Sequence, residues 1–211
     1  YLLSHGAGIL VIACNSATIH AVGALRASYP LPIVGMEPAV KPAAELTRSG
    51  VIGVLATEAS IAGEKFHQLV NTHAKGVRVI TRPCPRFVEL VESGKLEGPE
   101  VEDAVDEAIA PLLEAGADVF VLGCTHYPFL RGVIESRLPE TASVVDTGPA
   151  VARRVKSLLP SVLDSTRSAI HIETTGSLEL LDRLLPKLLP DLEVKTSRCI
   201  IGQIVSDLEN F

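Results

Sequence analysis

Short apolar runs alternate along this chain with longer stretches in which apolar residues recur every three or four positions. The runs at 9–13, 33–36, 51–56, 77–81, 119–122, 143–145 and 170–173 are rich in Val and Ile and are bounded by Gly, Pro or polar residues, a pattern that predicts strands. The stretches at 17–28, 39–49, 60–73, 85–93, 100–115, 129–137, 149–159 and 178–189 predict helices. The clearest is 100–115, where Val101, Val105, Ile109, Leu112 and Leu113 form one stripe. Strands without polar alternation need cover on both faces. Strand and helix in turn therefore imply an α/β fold built on parallel sheet.

Two of the strand runs look like copies of one another. Residues 6–14 read GAGILVIAC and residues 116–124 read GADVFVLGC, so each copy opens on Gly-Ala and closes on a cysteine eight residues after the glycine. Asn15-Ser16 follow the first cysteine and Thr125-His126 the second. An internal repeat of this kind divides the chain into a part around Cys14 and a part around Cys124. Turns at Pro30-Leu31-Pro32 and Asp146-Thr147-Gly148-Pro149 suggest the crossovers. The expected division is 1–36 plus 148–211 around Cys14, and 37–147 around Cys124.

With 211 residues the chain is long enough to bury a real core. It is 47% hydrophobic and 21% charged with a net charge of −6, and it lacks a basic stripe, so nucleic acid is not an expected partner. No apolar run approaches the roughly 18 residues of a membrane span, and no basic and apolar leader opens the chain. A cytoplasmic protein is the expectation. The cysteines at 14, 84, 124 and 199 are widely spaced, with neither a CxxC pair nor zinc-like His/Cys spacing, which predicts free thiols and no metal. GxGxxG and GxxxxGKS/T loops are absent as well.

In α/β folds, ligands gather beyond the carboxyl ends of the strands, where Cys14 and Cys124 both fall. Each precedes a predicted helix start, with Ser16 or Thr18 as the expected cap of the first helix and Pro128 suited to a first helical position. The positive end of a helix favours thiolate, and the same N–H groups can hold carboxylate oxygens. His126, two residues past Cys124, has an ordinary pKa of about 6.5 and suits proton transfer there. Cys84 and Cys199 carry no such setting and are expected to be structural.

At these residues the chain resembles the cofactor-independent aspartate/glutamate racemase superfamily, and within it the glutamate racemases. The resemblance rests on VIACNSAT at 11–18 and LGCTHYP at 122–128, supported by VGMEPAVKPA at 34–43, CPRFVELVESG at 84–94, VVDTG at 144–148 and TTG at 174–176. It runs in order through most of the chain and thins after about residue 180. It implies two pseudo-symmetric parallel-sheet α/β domains with an active site in the cleft between them. Cys14 and Cys124 would be the catalytic bases, one for each enantiomer of glutamate, and His126 the acid/base helper of Cys124. Asn15, Ser16 and Thr125 would bind substrate, and Glu92 would lie near the cleft. The resemblance further implies no cofactor, a small-molecule substrate, a homodimer as in much of the family, and a product, D-glutamate, that serves peptidoglycan synthesis.

The family pattern opens with a strand, an Asp-Ser-Gly-x-Gly-Gly loop and a Pro-Tyr-Gly segment, whereas this chain opens on YLLSHGAG. Tyr1 is not a start methionine, so the expectation is a missing native beginning, with a non-catalytic binding paralogue as the alternative. Other readings are racemisation of aspartate or a hydantoin, and a redox dithiol formed by Cys14 and Cys124.

Overall fold

The computed structural model describes residues 1–160 and 169–199. It is an α/β protein whose described strands all pair in parallel, as the unbroken apolar runs require. In chain order the elements are β1 (Leu10–Ile12), α1 (Asn15–Ser28), β2 (Ile33–Gly35), α2 (Val40–Leu46), β3 (Val51–Ala56), α3 (Glu58–Ala62), α4 (Glu64–His73), β4 (Arg78–Pro83), α5 (Pro85–Glu92) and α6 (Pro99–Glu114). Beyond α6 come β5 (Val119–Leu122), a 3-10 turn (Tyr127–Leu130), α7 (Arg131–Arg137), β6 (Ser143–Asp146), α8 (Gly148–Leu158), β7 (Ile170–Thr174), α9 (Leu178–Leu188) and β8 (Val194–Arg198).

The chain forms two compact units, Ile9–Ser157 and a smaller one of Tyr1–Gly8 with Leu158 onward. In the larger unit β4, β3, β5 and β6 form one four-stranded sheet in that order, and β1 pairs with β2 in a second. Along β3, Ile52, Val54 and Ala56 join Val119 and Val121 of β5 in a core cluster with Val40 and Ala43 of α2 and Phe66 of α4. The alternate position Gly53 faces α6: a Cβ there would lie 2.8 Å from Leu112 Cδ1. Period-two alternation thus serves two buried faces. On α6, Val101, Val105, Ile109 and Leu112 of the predicted stripe are buried together with Ala104 and Ala108, while Leu113 is only partly buried.

β1–β2 and β4-β3-β5-β6 share no ladder among the described residues. Both sheets lie in the compact unit 9–157. Contacts between α1 and α3 draw β1, α1 and β2 to the larger sheet. Hydrogen bonds of Ser16 Oγ with Thr57 Oγ1 (3.3 Å) and with Ser60 Oγ (2.8 Å) cross between the two sheets' helices.

In the smaller unit β7 and β8 pair from Ile170↔Val194 to Thr174↔Arg198, with α9 packed on β8. Glu173 accepts hydrogen bonds from the Tyr1 hydroxyl and from Ser197 Oγ (3.2 Å).

Three local departures have physical causes. The helix expected at 60–73 is two helices, because Gly63 is extended (φ −69, ψ 133) and ends α3. The helix expected at 39–49 stops at Leu46. Beyond it, Asp118 accepts from Thr47 Oγ1 (2.5 Å), Arg48 N (2.7 Å) and Ser49 N (2.9 Å), and so fixes the turn into β3. β8 carries no apolar run, so its strand rests on pairing with β7 rather than on pattern.

The end of β3 positions the loops that leave β4 and β5. Gly123 N donates to Leu55 O at 2.7 Å, and Cys84 N donates to Ala56 O at 3.1 Å. A Cβ at Gly123 would meet Leu55 O at 2.9 Å and Ala56 Cβ at 3.0 Å, neither of them the free end of a side chain. Gly123→Ala is therefore expected to cost about 1–3 kcal/mol in urea unfolding. Gly132→Ala, in α7 where an added Cβ meets nothing within 4 Å, should gain about 0.5–1 kcal/mol. Equal stability of the two variants would show that Gly123 is not a close-approach position.

Candidate active site

The first cysteine follows β1 and begins α1. Cys14 has extended backbone (φ −139, ψ 124) and is itself the N-cap, its sulfur accepting from Ala17 N at 3.4 Å. This corrects the expectation that Ser16 or Thr18 would cap. The helix starts at Asn15, two residues earlier than predicted, and both hydroxyls are used elsewhere. Thr18 Oγ1 donates to Ile12 O (3.2 Å) and accepts from Met36 N (2.9 Å), tying α1 to both strands of its sheet. The room for this is tight: a Cβ at Gly35 would lie 2.6 Å from Thr18 Cγ2.

Ser16 Oγ instead closes a triangle of hydroxyls with Thr57 Oγ1 and Ser60 Oγ, in which Thr57 Oγ1 donates to Ser60 Oγ at 3.0 Å. Thr57 also caps α3, accepting from Ser60 N at 3.2 Å. Thr57 and Ser60 were missed from the sequence; the signal available was the T-x-x-S spacing directly after a buried strand, which reads as an ordinary helix cap.

Asn15 is only 2% exposed, yet its amide oxygen and nitrogen both lack a hydrogen-bond partner. An unpaired buried amide costs about 1–3 kcal/mol. It stands one residue from Cys14, in the first turn of a 14-residue helix whose free N–H groups carry partial positive charge. A carboxylate fits this setting, since amide and helix end both donate to it.

The second cysteine follows β5. Cys124 is half-buried, and its sulfur lies 3.7 Å from His126 Nδ1. His126 Nε2 in turn meets Glu92 Oε1, at the end of α5, at 2.7 Å. The Cys124 sulfur raises the imidazole pKa most, burial opposes it, and the Glu92 carboxylate raises it further, to about 9. His126 is therefore an imidazolium at neutral pH, and Cys124 faces a full positive charge. Thr125 lies between them, partly buried, with no hydrogen bond that reserves its hydroxyl.

All seven expected site residues thus lie in the larger unit, in two clusters. One holds Cys14, Asn15 and Ser16, and the other Cys124, Thr125, His126 and Glu92. They are linked through Thr57, which follows β3 directly, while Gly123 is hydrogen-bonded to Leu55 of the same strand. All four cysteines are free thiols, with Cys14 exposed and Cys84 and Cys199 buried. Burial pushes the Cys84 thiol up to about 12, so it stays protonated and inert. Among the described residues no cluster suits a metal ion, and no helix is long and apolar enough to cross a membrane.

The His126 contact has a defined pH window. Because its folded pKa is raised, its contribution to stability is complete below the ordinary value of about 6.5 and is lost as pH rises through about 9. Glu92→Gln should lower the His126 midpoint in an NMR titration, and Cys124→Ala should lower it further. A midpoint unmoved in both variants would contradict the imidazolium assignment.

Comparisons with known proteins identify the family. The family model described as Asp/Glu/Hydantoin racemase matches residues 1–155. A glutamate racemase of Ectopseudomonas mendocina (strain ymp) is 47% identical over 193 residues, which cover 90% of this chain and 73% of that protein. A glutamate racemase of Pseudomonas putida (strain KT2440) is 47% identical over 187 residues, covering 87% of this chain and 71% of that protein. Among solved structures, Escherichia coli glutamate racemase in complex with L-glutamate and the activator UDP-MurNAc-Ala superposes with a TM-score of 0.79. That match is 30% identical and covers 92% of this chain and 75% of that one. The chain belongs to the Asp/Glu/Hydantoin racemase family and is an enzyme of the amino-acid racemase class, an isomerase.

Proposed function

We propose that this chain interconverts L- and D-glutamate without a cofactor, with Cys14 and Cys124 as the two bases. The observation that carries the reading is the buried, unpartnered amide of Asn15 beside Cys14. It supplies a donor for a substrate carboxylate at the N-terminus of α1, where the chain itself leaves the donor unused. Glutamate is the substrate named for the relatives at 47% identity.

Racemisation needs a proton removed from one face of the α-carbon and another delivered to the opposite face. In the proposed reaction the Cys124 thiolate takes the α-proton of L-glutamate, leaving a carbanion stabilised by donors around its carboxylate. The Cys14 thiol then gives its proton to the other face. Cys124 finishes as thiol and Cys14 as thiolate, which is the starting state for D-glutamate. Thiols suit this work because their reference pKa, about 8.5, is tuned by surroundings. The His126 imidazolium stabilises negative charge on Cys124 and returns protons to it. Asn15, Ser16 and Thr125 hold the substrate, with Thr57 and Ser60 joining Ser16. Glu92 holds His126.

In this reading the two clusters face each other across a cleft between pseudo-symmetric halves divided near residues 36 and 147. The enzyme works in the cytoplasm, and its D-glutamate supplies peptidoglycan.

Circular-dichroism polarimetry under reducing conditions, with no added cofactor, tests the reading. Signal should decay toward zero from D-glutamate and from L-glutamate alike. Decay with aspartate or a hydantoin in place of glutamate would move the assignment to another substrate of the family. Cys14→Ala and Cys124→Ala should each abolish racemisation, while each still exchanges the α-proton of one enantiomer with solvent. Full racemisation by either variant would overturn the two-base assignment. Asn15→Ala should raise KM about tenfold or more.

A further inference from the structure

Tyr127 is fully buried, and it belongs to neither the Cys14 cluster nor the Cys124 cluster. Its hydroxyl donates to the Cys84 carbonyl at 2.9 Å, and its ring meets Phe87 edge-on, with centroids 5.1 Å apart and planes at 79°. Burial raises its phenol pKa far above the ordinary value, so the group stays a neutral donor. The Cys84 carbonyl uses both its lone pairs, since it also accepts from Phe87 N at 3.2 Å. That carbonyl opens α5, and Glu92 closes α5 eight residues later.

Two adjacent residues thus grip opposite ends of one helix. Tyr127 holds the start of α5 through Cys84, and His126 meets its end at Glu92. The helix is a strut about 12 Å long, so fixing one end sets the other. The grips differ in strength. Glu92 is 54% exposed, and an exposed ion pair fixes little against the entropy of its side chains. The Tyr127 grip is dry, hydrogen-bonded and packed against an aromatic edge, which makes it the one able to hold position. Arg131, at the start of α7, pairs with Glu135 and Asp146. The groups that face His126 are Cys124 from its own loop and Glu92 from α5.

We propose that Tyr127, through its hydrogen bond to the Cys84 carbonyl, is a positioning residue that registers the 123–130 loop against α5 and so holds His126 between Cys124 and Glu92. Its importance for turnover rests on the two-base reading; its effect on His126 does not.

Tyr127→Phe tests this in the full chain. It removes one oxygen from a filled core position and leaves the Cys84 carbonyl its bond from Phe87. The His126 midpoint, followed by NMR of labelled imidazole, should fall by about one pH unit or more as the loop loosens. Racemisation should slow about tenfold or more, and its pH profile should move by the same amount as the titration. Phe87→Leu is the companion variant. It weakens packing but keeps the hydroxyl bond, so it should lower the melting temperature and leave the His126 midpoint in place. A folded Tyr127→Phe protein with an unmoved midpoint would overturn the proposal. So would an equal fall in both variants, which would assign the effect to packing. If the unaltered chain fails to racemise glutamate, the functional reading falls, while the titration still decides the role of Tyr127.

Discussion

The site depends on how the last two carbonyl groups of β3 are satisfied. β3 is an interior strand between β4 and β5, and Leu55 and Ala56 at its end are fully buried. Carbonyl oxygens in such a place need partners. Leu55 O receives Gly123 N, and Ala56 O receives Cys84 N, so the chains leaving β5 and β4 both bend over the end of β3. Gly123 is the residue that permits the closer approach, because a side chain there would strike backbone. With those two bonds made, Thr57, Cys84 and Cys124 are brought to one edge. Thr57 reaches Ser16 and the Cys14 helix, Cys84 anchors Tyr127, and Cys124 carries His126.

The two thiols then occupy different electrostatic settings despite their matching sequence frames. The Cys14 sulfur is exposed and faces the N–H groups of a helix end, a partial charge worth about 0.3–1 kcal/mol. The Cys124 sulfur is half-buried and faces an imidazolium, a whole charge in a drier place. The first arrangement is inherent in any helix that starts on a cysteine. The second must be assembled from α5 and the loop after β5, and the buried Tyr127 hydroxyl joins those two elements. Two-base racemisation requires thiols in opposite protonation states, and unlike settings serve that need better than like ones would.

The sequence carried much of this and failed in specific places. β3 and β5 were legible because parallel strands buried on both faces lose polar alternation and show as apolar runs, and β1 showed the same run although its Val11 is exposed. α6 was legible because its stripe keeps one period for sixteen residues. The cysteines stood out through the repeat. β8 was not legible, because VKTSR has no burial signal and forms a strand only by pairing with β7. The division of the helix at Gly63 was missed because the apolar period continues across it while the backbone does not. The cap of α1 was misassigned to Ser16 and Thr18, since hydroxyls are usual caps and a thiol is a weak acceptor; the hydroxyls were already committed across the structure. Thr57 and Ser60 belong to the site by distance alone, with some forty residues of chain between them and Ser16.

The polar corner around Asn15 shows how a fold can hold binding capacity in reserve. Three hydroxyls, each with one proton, make the contacts Ser16–Thr57, Ser16–Ser60 and Thr57–Ser60. If each donates to the next, every proton is spent inside the ring and only lone pairs face outward, which would repel a carboxylate. Hydroxyl protons rotate freely, however, so one can turn out while its oxygen still accepts from a neighbour. Asn15 differs: its NH2 group is unpartnered, but it is covered rather than open to solvent. Alanine at this first helical position would form the helix better and avoid the cost of an unpaired amide. In the two-base reading, a carboxylate arriving here would first meet the N–H groups of the helix end, then draw a hydroxyl proton outward, and pair with the covered amide of Asn15 as the corner opens. Recognition in that order leaves the charge of the carboxylate paired at every stage, which a corner of hydroxyls alone could not do.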